Sequence, residues 1–311
     1  MPGTGLITVG RALTARLARR KAAPYVLAAL VAVTAGASAQ TGMPPAEPAK
    51  DLETALYKAA DALGMVRGPQ ERDAIVTFEY WATGTLSRQG RTCQLTTYRA
   101  SVRYPAADRR ERFPVPGMRV DSTCAAAAGQ KPERQIEVVA GEFAWNEAEP
   151  GGNATSTPGA AQERLLQIWT LPQGVIKAAR LAGAKATFAM EGGKPVMTFP
   201  LPPPLQAGTI KATLDPEHFL FHTMPTGVRR YFSHRIERVE TQLGSAVTVT
   251  TYADYRDWNA DDYKSDALLP GRIVQERNGM RVLDLTLTRS QTYNPYVVMP
   301  VPENVRKAAA P

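Results

Sequence analysis

Three histidines, two cysteines and one pair of adjacent aspartates are the side chains here whose type and spacing could do chemistry. His218 and His222 lie in Glu217-His-Phe-Leu-Phe-His222, and His234 follows. The intervening aromatics favour an extended segment, and four residues along a strand cover ~13 Å. One metal ion with ligands at ~2 Å cannot bridge that gap. The histidines therefore read as ordinary half-exposed side chains, and no metal is expected. Asp261-Asp262 is an acidic loop tip, and two carboxylates alone make a poor calcium site. No serine sits in a Gly-x-Ser-x-Gly elbow, and no cysteine has a partner for nucleophilic attack. Gly151-Gly-Asn153 and Gly192-Gly-Lys194 read as turns, because neither opens a helix after a strand. These residues argue against an enzyme and call for no cofactor.

The address is more legible than the chemistry. Arg11, Arg16, Arg19, Arg20 and Lys21 form a basic region, residues 25–35 are apolar, and Ala37-Ser-Ala39 supplies small residues before Gln40. That order predicts a signal sequence over 1–39, cleaved after Ala39, and a periplasmic protein. The rival, a retained anchor, needs ~20 predominantly apolar residues, and this run is shorter and alanine-rich. No cysteine follows the cleavage point, so a lipid-modified N-terminus is not expected, and Arg19-Arg20 lacks the rest of a twin-arginine signal. Removing the signal takes five of the 37 basic residues and none of the 29 acidic ones, so the net charge falls from +8 to +3. Nucleic acid is not implied by such a balance.

Cys93 and Cys124 both fall in the exported part, and an even count in an oxidising compartment predicts one disulfide. They lie near opposite ends of an expected hairpin. A plain register that pairs them sets Tyr98 against Arg119, an apolar residue on a polar face. A bulge between the strands removes the mismatch.

The elements follow from periodicity. Residues 40–50 read as a flexible leader. Asp51 opens a helix with Leu52, Ala55, Leu56, Ala59 and Leu63 at helical spacing. From Val76 the period becomes two, and strands continue to residue 146. Residues 147–160, rich in Gly, Pro, Ser, Thr and Ala, read as a mobile loop. A helical pair follows, with Leu165, Leu166, Ile168 and Trp169 on the first helix and Val175, Ile176 and Ala179 on the second. Thr170-Leu-Pro-Gln173 predicts a capping box with proline in the first turn. A second block of strands ends in a meander over 246–293, where Leu283, Leu285 and Leu287 share one face and Asn278-Gly279 makes the turn. Helices lying between two strand blocks predict an α+β fold with an antiparallel sheet rather than parallel crossovers.

Three runs carry a family resemblance: Thr251-Tyr-Ala-Asp-Tyr-Arg-Asp-Trp258, Leu269-Pro-Gly-Arg-Ile-Val-Gln-Glu276 and Val282-Leu-Asp-Leu-Thr-Leu-Thr288. They resemble the C-terminal strands of the outer-membrane lipoprotein carrier (LolA-like) superfamily, and of modules that precede metallo-hydrolase domains in exported proteins. Val301-Pro-Glu-Asn-Val-Arg306 is similar to the linker leaving such a module. The His-x-His-x-Asp-His pattern of the hydrolases is absent. The resemblance implies a large curved antiparallel sheet, an unclosed half-barrel with about three helices on its concave apolar face, over residues 51–300, with 301–311 as a tail.

A concave apolar face implies a lipophilic ligand, a lipid or the acyl chain of a lipoprotein, lined by Phe78, Tyr80, Trp169, Ile176, Phe188, Met190, Leu283, Leu285 and Leu287. The plainer reading makes these same residues the core. On the ligand reading the helical pair, tethered by the 147–160 loop, would act as a lid. The alternative function is an interaction or accessory module of an exported enzyme or envelope complex, docking a partner by an edge strand or by the Pro-rich 200–205 segment.

Overall fold

The computed structural model describes residues 46–67, 72–73, 75–88, 90–105, 115–126, 131–223, 229–258, 267–292 and 297–308. All fall in one compact unit, Met43–Pro311. The expected signal sequence with its cleavage point, residues 40–45 of the leader and the Asp261-Asp262 tip lie outside the described residues.

Thirteen strands build one antiparallel sheet. The first block is β1 Thr77–Arg88, β2 Arg91–Arg103, β3 Gly117–Cys124, β4 Glu133–Ala140, β5 Phe143–Glu147 and β6 Thr155–Ser156. The second is β7 Thr187–Glu191, β8 Lys194–Pro200, β9 Gly208–Asp215, β10 Arg235–Leu243, β11 Ala246–Ala253, β12 Arg272–Arg277 and β13 Met280–Thr292. Their spatial order is β6-β5-β4-β3-β2-β1-β13-β12-β11-β10-β9-β8-β7. Each strand lies beside its neighbour in sequence, except where β13 pairs with β1, in a register running from Leu283↔Leu86 to Thr292↔Phe78. The sheet stays open between β6 and β7. At that join Gly84 has φ 145°, and a Cβ there would stand 1.9 Å from the Asp284 carbonyl oxygen, so only glycine permits the approach.

The chain passes from one open edge to the other through α2, Ala161–Thr170, and α3, Pro172–Ala182. The fold is α+β, with the helical pair between two strand blocks as the periodicity requires. Helix α1, Leu52–Ala62, starts where expected: the Asp51 carboxylate accepts the Thr54 N–H at 2.7 Å. It buries Ala55, Ala59, Ala60 and Ala62. Between the helices and the sheet lies the main core, in which Trp169, Tyr104, Phe78, Phe199, Leu165 and Ile168 are almost fully buried.

Four details depart from the sequence reading. The capping box does not form, because the Thr170 hydroxyl turns back onto the Leu166 and Gln167 carbonyls at 3.0 and 3.2 Å. Leu171 takes the N-cap position, Pro172 the first turn, and Gln173 donates to the Leu268 carbonyl at 2.7 Å. Residues 147–160 are held in place rather than mobile. The Glu147 carboxylate accepts from Arg119, from Trp145 Nε1 at 2.9 Å and from the Gly151 N–H at 2.8 Å, while β6 pairs with β5.

The leader and the tail are also docked where they are described. Ala49 is buried against the core. Residues read as a tail include α4, Glu303–Ala308, whose Val305 joins Val297 and Met299 over Ile136, Val138, Ala140 and Trp145 in a second, smaller core. Asn304 Nδ2 donates to the Ala154 carbonyl at 2.7 Å. Strand β11 turns Thr248, Thr250 and Tyr252 inward, and Val247 is 41% exposed. Inward hydroxyls are tolerated because they are bonded: Gln275 Nε2 reaches Thr250 Oγ1 at 3.2 Å, and Tyr252 donates to the Thr170 carbonyl.

Candidate functional site: an open groove at one end of the helix-covered sheet

The first block supplies one wall. Thr96 is an extra residue in β2, where the register against both β1 and β3 shifts. Before the bulge odd-numbered residues face inward, and after it even-numbered ones do. Leu95 and Tyr98 therefore both reach the helix-covered side, and Cys93 meets Cys124 in a disulfide with Cα atoms 5.5 Å apart. The bulge resolves the clash between Tyr98 and Arg119 that a plain register imposes, since Tyr98 now faces Ser122.

Helix α2 supplies the opposite wall and is bolted to the sheet by Arg164. Its Nη1 donates to the Val138 and Trp145 carbonyls at 3.0 and 2.7 Å, and its Nη2 to Glu137 and Asn146 Oδ1 at 3.0 and 2.6 Å. Burial of this guanidinium lowers its pKa from the ordinary arginine value, and Glu137 opposes the shift. Tyr104 adds a hydrogen bond to the Ile168 carbonyl at 3.1 Å. These bonds fasten the helical pair to the sheet in the closed position. Arg164 was not singled out by the apolar stripe, although its spacing from Ala161, Leu165 and Ile168 sets it on the packed face.

Between these walls lies a groove of ≈ 930 Å³. Tyr98, Met118, Val120, Val139, Leu86 and Leu283 make its apolar floor, and the disulfide closes one side. Its rim is charged. Arg88 reaches Gln135 and Glu137, Arg277 pairs with Glu163 of α2 at 3.1 Å across the opening, and Arg91 and Arg281 stand at the mouth. The pKa of the Tyr98 hydroxyl is pushed up to about 12, by burial first, with a hydrogen bond to Tyr80 opposing and Glu137 adding to the shift, so the hydroxyl stays neutral. Apolar floor and sparse polar rim are the usual make-up of a small-molecule site.

Of the nine residues proposed as ligand lining, Leu283 alone borders this groove. Phe78, Tyr80, Trp169, Ile176, Leu285 and Leu287 are 0–3% exposed and fill the space between sheet and helices. Phe188 lies at the margin of that core, and Met190 is 47% exposed on the edge strand β7. The groove draws on two hairpin tips and a helix far apart in sequence, a juxtaposition that no local period signals.

The histidines are also placed. Phe219–Thr223 is a strand with a register shift between Leu220 and His222, so His218 and His222 are spread along extended backbone, and the His222 side chain lies outside the described residues. His234 corrects the half-exposed reading. It is fully buried with φ 67°, its Nε2 accepts the Ala49 N–H at 3.0 Å, and its Nδ1 lies 2.8 Å from Ser233 Oγ. Burial lowers its pKa to about 4, with Lys58 and His218 adding and Asp215 opposing. Among the described residues no group of three or more His, Cys, Asp or Glu is placed to hold a metal ion, and no helix is long and apolar enough to cross a membrane. No family model matches the chain, and no curated protein matches it.

Proposed function

We propose that this is a non-enzymatic periplasmic binding protein that holds a lipophilic ligand, a lipid or a lipoprotein acyl chain, in the groove of an unclosed LolA-like half-barrel. The observation that carries the reading is the groove itself: ≈ 930 Å³, with Tyr98, Met118, Val120, Val139 and Leu283 beneath a rim of arginines and glutamates. Its volume lies within the ~300–1,000 Å³ of ordinary ligand pockets. Leu86 and Leu283 are half-buried on that floor, and an acyl chain laid over them would gain ~25 cal/mol per Å² of apolar surface covered. The disulfide suits an oxidising compartment. The test is mass spectrometry of small molecules extracted from the protein purified from its native envelope. A co-purifying acyl lipid in near-stoichiometric amount supports the carrier, and a ligand-free protein that binds no hydrophobic probe overturns it.

One observation favours the second reading, a module that docks an envelope partner. On the far face of β11 and β12, Val249, Ala253 and Val274 floor a shallow cleft of ≈ 410 Å³ among Arg238, Arg272 and Arg281. A partner recovered by cross-linking at this cleft, with no lipid in the groove, would favour the module.

A further inference from the structure

We infer that the ligand of the groove is an acyl amphiphile with a phosphate head group, its chain on the apolar floor and its head among arginines from two neighbouring hairpin tips. This rests on the lipophilic-ligand reading above. Strands β1 and β2 close on Arg88↔Arg91, and β12 and β13 close on Arg277↔Met280. Because Leu86 pairs with Leu283, the two tips stand side by side at one end of the sheet. Arg88, Arg91, Arg277 and Arg281 are thereby gathered on one rim of the groove.

The charge there is unbalanced. The lining holds five arginines (88, 91, 164, 277 and 281) against three glutamates (133, 137 and 163), an excess that remains positive after Arg281 is paired with Asp284 outside the lining. Glu137 is taken by Arg88 and Arg164, and Arg281 turns to Asp284 at 3.2 Å. Arg91 has no ion-pair partner among the described residues. Arg277 and Glu163 hold each other across the opening with side chains 38% and 54% exposed, and an exposed pair of this kind is weak in water. A phosphate can take Arg277 from Glu163, because guanidinium matches phosphate oxygens in a fork, while Arg91, three strands away along the same rim, adds unpaired positive charge. A neutral head would leave the excess unanswered.

The experiment is displacement of a fluorescent acyl probe from the purified protein by a lysophosphatidic acid and by the monoacylglycerol of the same chain, with inorganic phosphate as a third competitor. The lysophosphatidic acid should compete about tenfold better than the monoacylglycerol, and the advantage should shrink as salt rises past the range where exposed charges are screened. In Arg91→Glu, at an exposed position, and Arg277→Gln, at a half-buried one, the advantage of the lysophosphatidic acid over the monoacylglycerol should fall by about threefold or more. Equal competition by the two lipids overturns the head-group inference and leaves the groove reading standing. Failure of both lipids overturns the groove reading too. Displacement by inorganic phosphate alone, at the concentration effective for the lipid, would mark a free-phosphate site and overturn the amphiphile.

Discussion

The two ends of the helix-covered sheet are built from the same pattern and end in opposite conditions. Under α2 and α3 the alternating residues Phe78, Tyr80, Leu285 and Leu287 meet Trp169 and Ile176 and are sealed. Toward the tips of β1–β2 and β12–β13, residues of the same inward set, Tyr98, Met118 and Val120, are 3–6% exposed, and with half-buried Leu283 they border a groove whose other wall is α2. Strand periodicity decides which face is apolar, and how closely α2 packs on it decides whether that face is sealed or borders a groove. Arg164, Tyr104, Tyr252 and Gln173 tie the helical pair to the sheet and to the segment before β12.

The largest expected effect falls on the sealed end. Trp169→Ala should destabilise the protein by ~3–5 kcal/mol, as truncation of a buried aromatic does, measured by urea unfolding. Probe binding by the folded protein should stay unchanged, since Trp169 does not border the groove. Raised uptake would support the lid and erase the distinction between the two ends.

Removal of the disulfide should weaken the open end. Cys93 and Cys124 are 31 residues apart in sequence, for which the chain-entropy model gives ~3–4 kcal/mol of stabilisation. Because both sulfurs border the groove, the paired change Cys93→Ser with Cys124→Ser should also lower probe affinity. Undiminished affinity would show that this wall is not part of the site.

A smaller effect belongs to the sealed end alone. Neutral His234 accepts the Ala49 N–H and lies near Lys58 of α1. Its folded pKa of about 4 is below the ordinary value of ~6.5. Its contribution is therefore complete above about pH 6.5 and is lost as the pH falls through 4, for a total on the order of 3 kcal/mol. His234→Gln should flatten that part of the stability–pH curve, read by thermal unfolding. An unaltered curve would mean that other groups set the acid limit.

How much of this was legible follows from where the information sits. Asp51 as a cap, the alternation in β1 and β13, Pro172 in a first turn and the cysteine pair are local signals, and each appears in the fold. The ordering of residues 147–160 was hidden because polar side chains hold them and leave no hydropathy pattern: Glu147 accepts from Arg119 and the Gly151 N–H, and Arg164 donates to Thr157 Oγ1. The inward phase of Thr250 was hidden because a hydrogen bond from Gln275, not hydropathy, satisfies its hydroxyl. The candidate site was least legible. It needs the Thr96 bulge, the β1–β13 join and the packing of α2 together, and none of these leaves a period in the chain.

The central claim is that lipophilic ligand lies on the open floor and not among the buried aromatics. Photocross-linking with a diazirine-bearing acyl lipid, followed by peptide mapping, tests it directly. The account predicts adducts on the strands carrying Tyr98, Met118, Val120 and Leu283. Adducts confined to Phe78, Trp169 or Ile176 would contradict it.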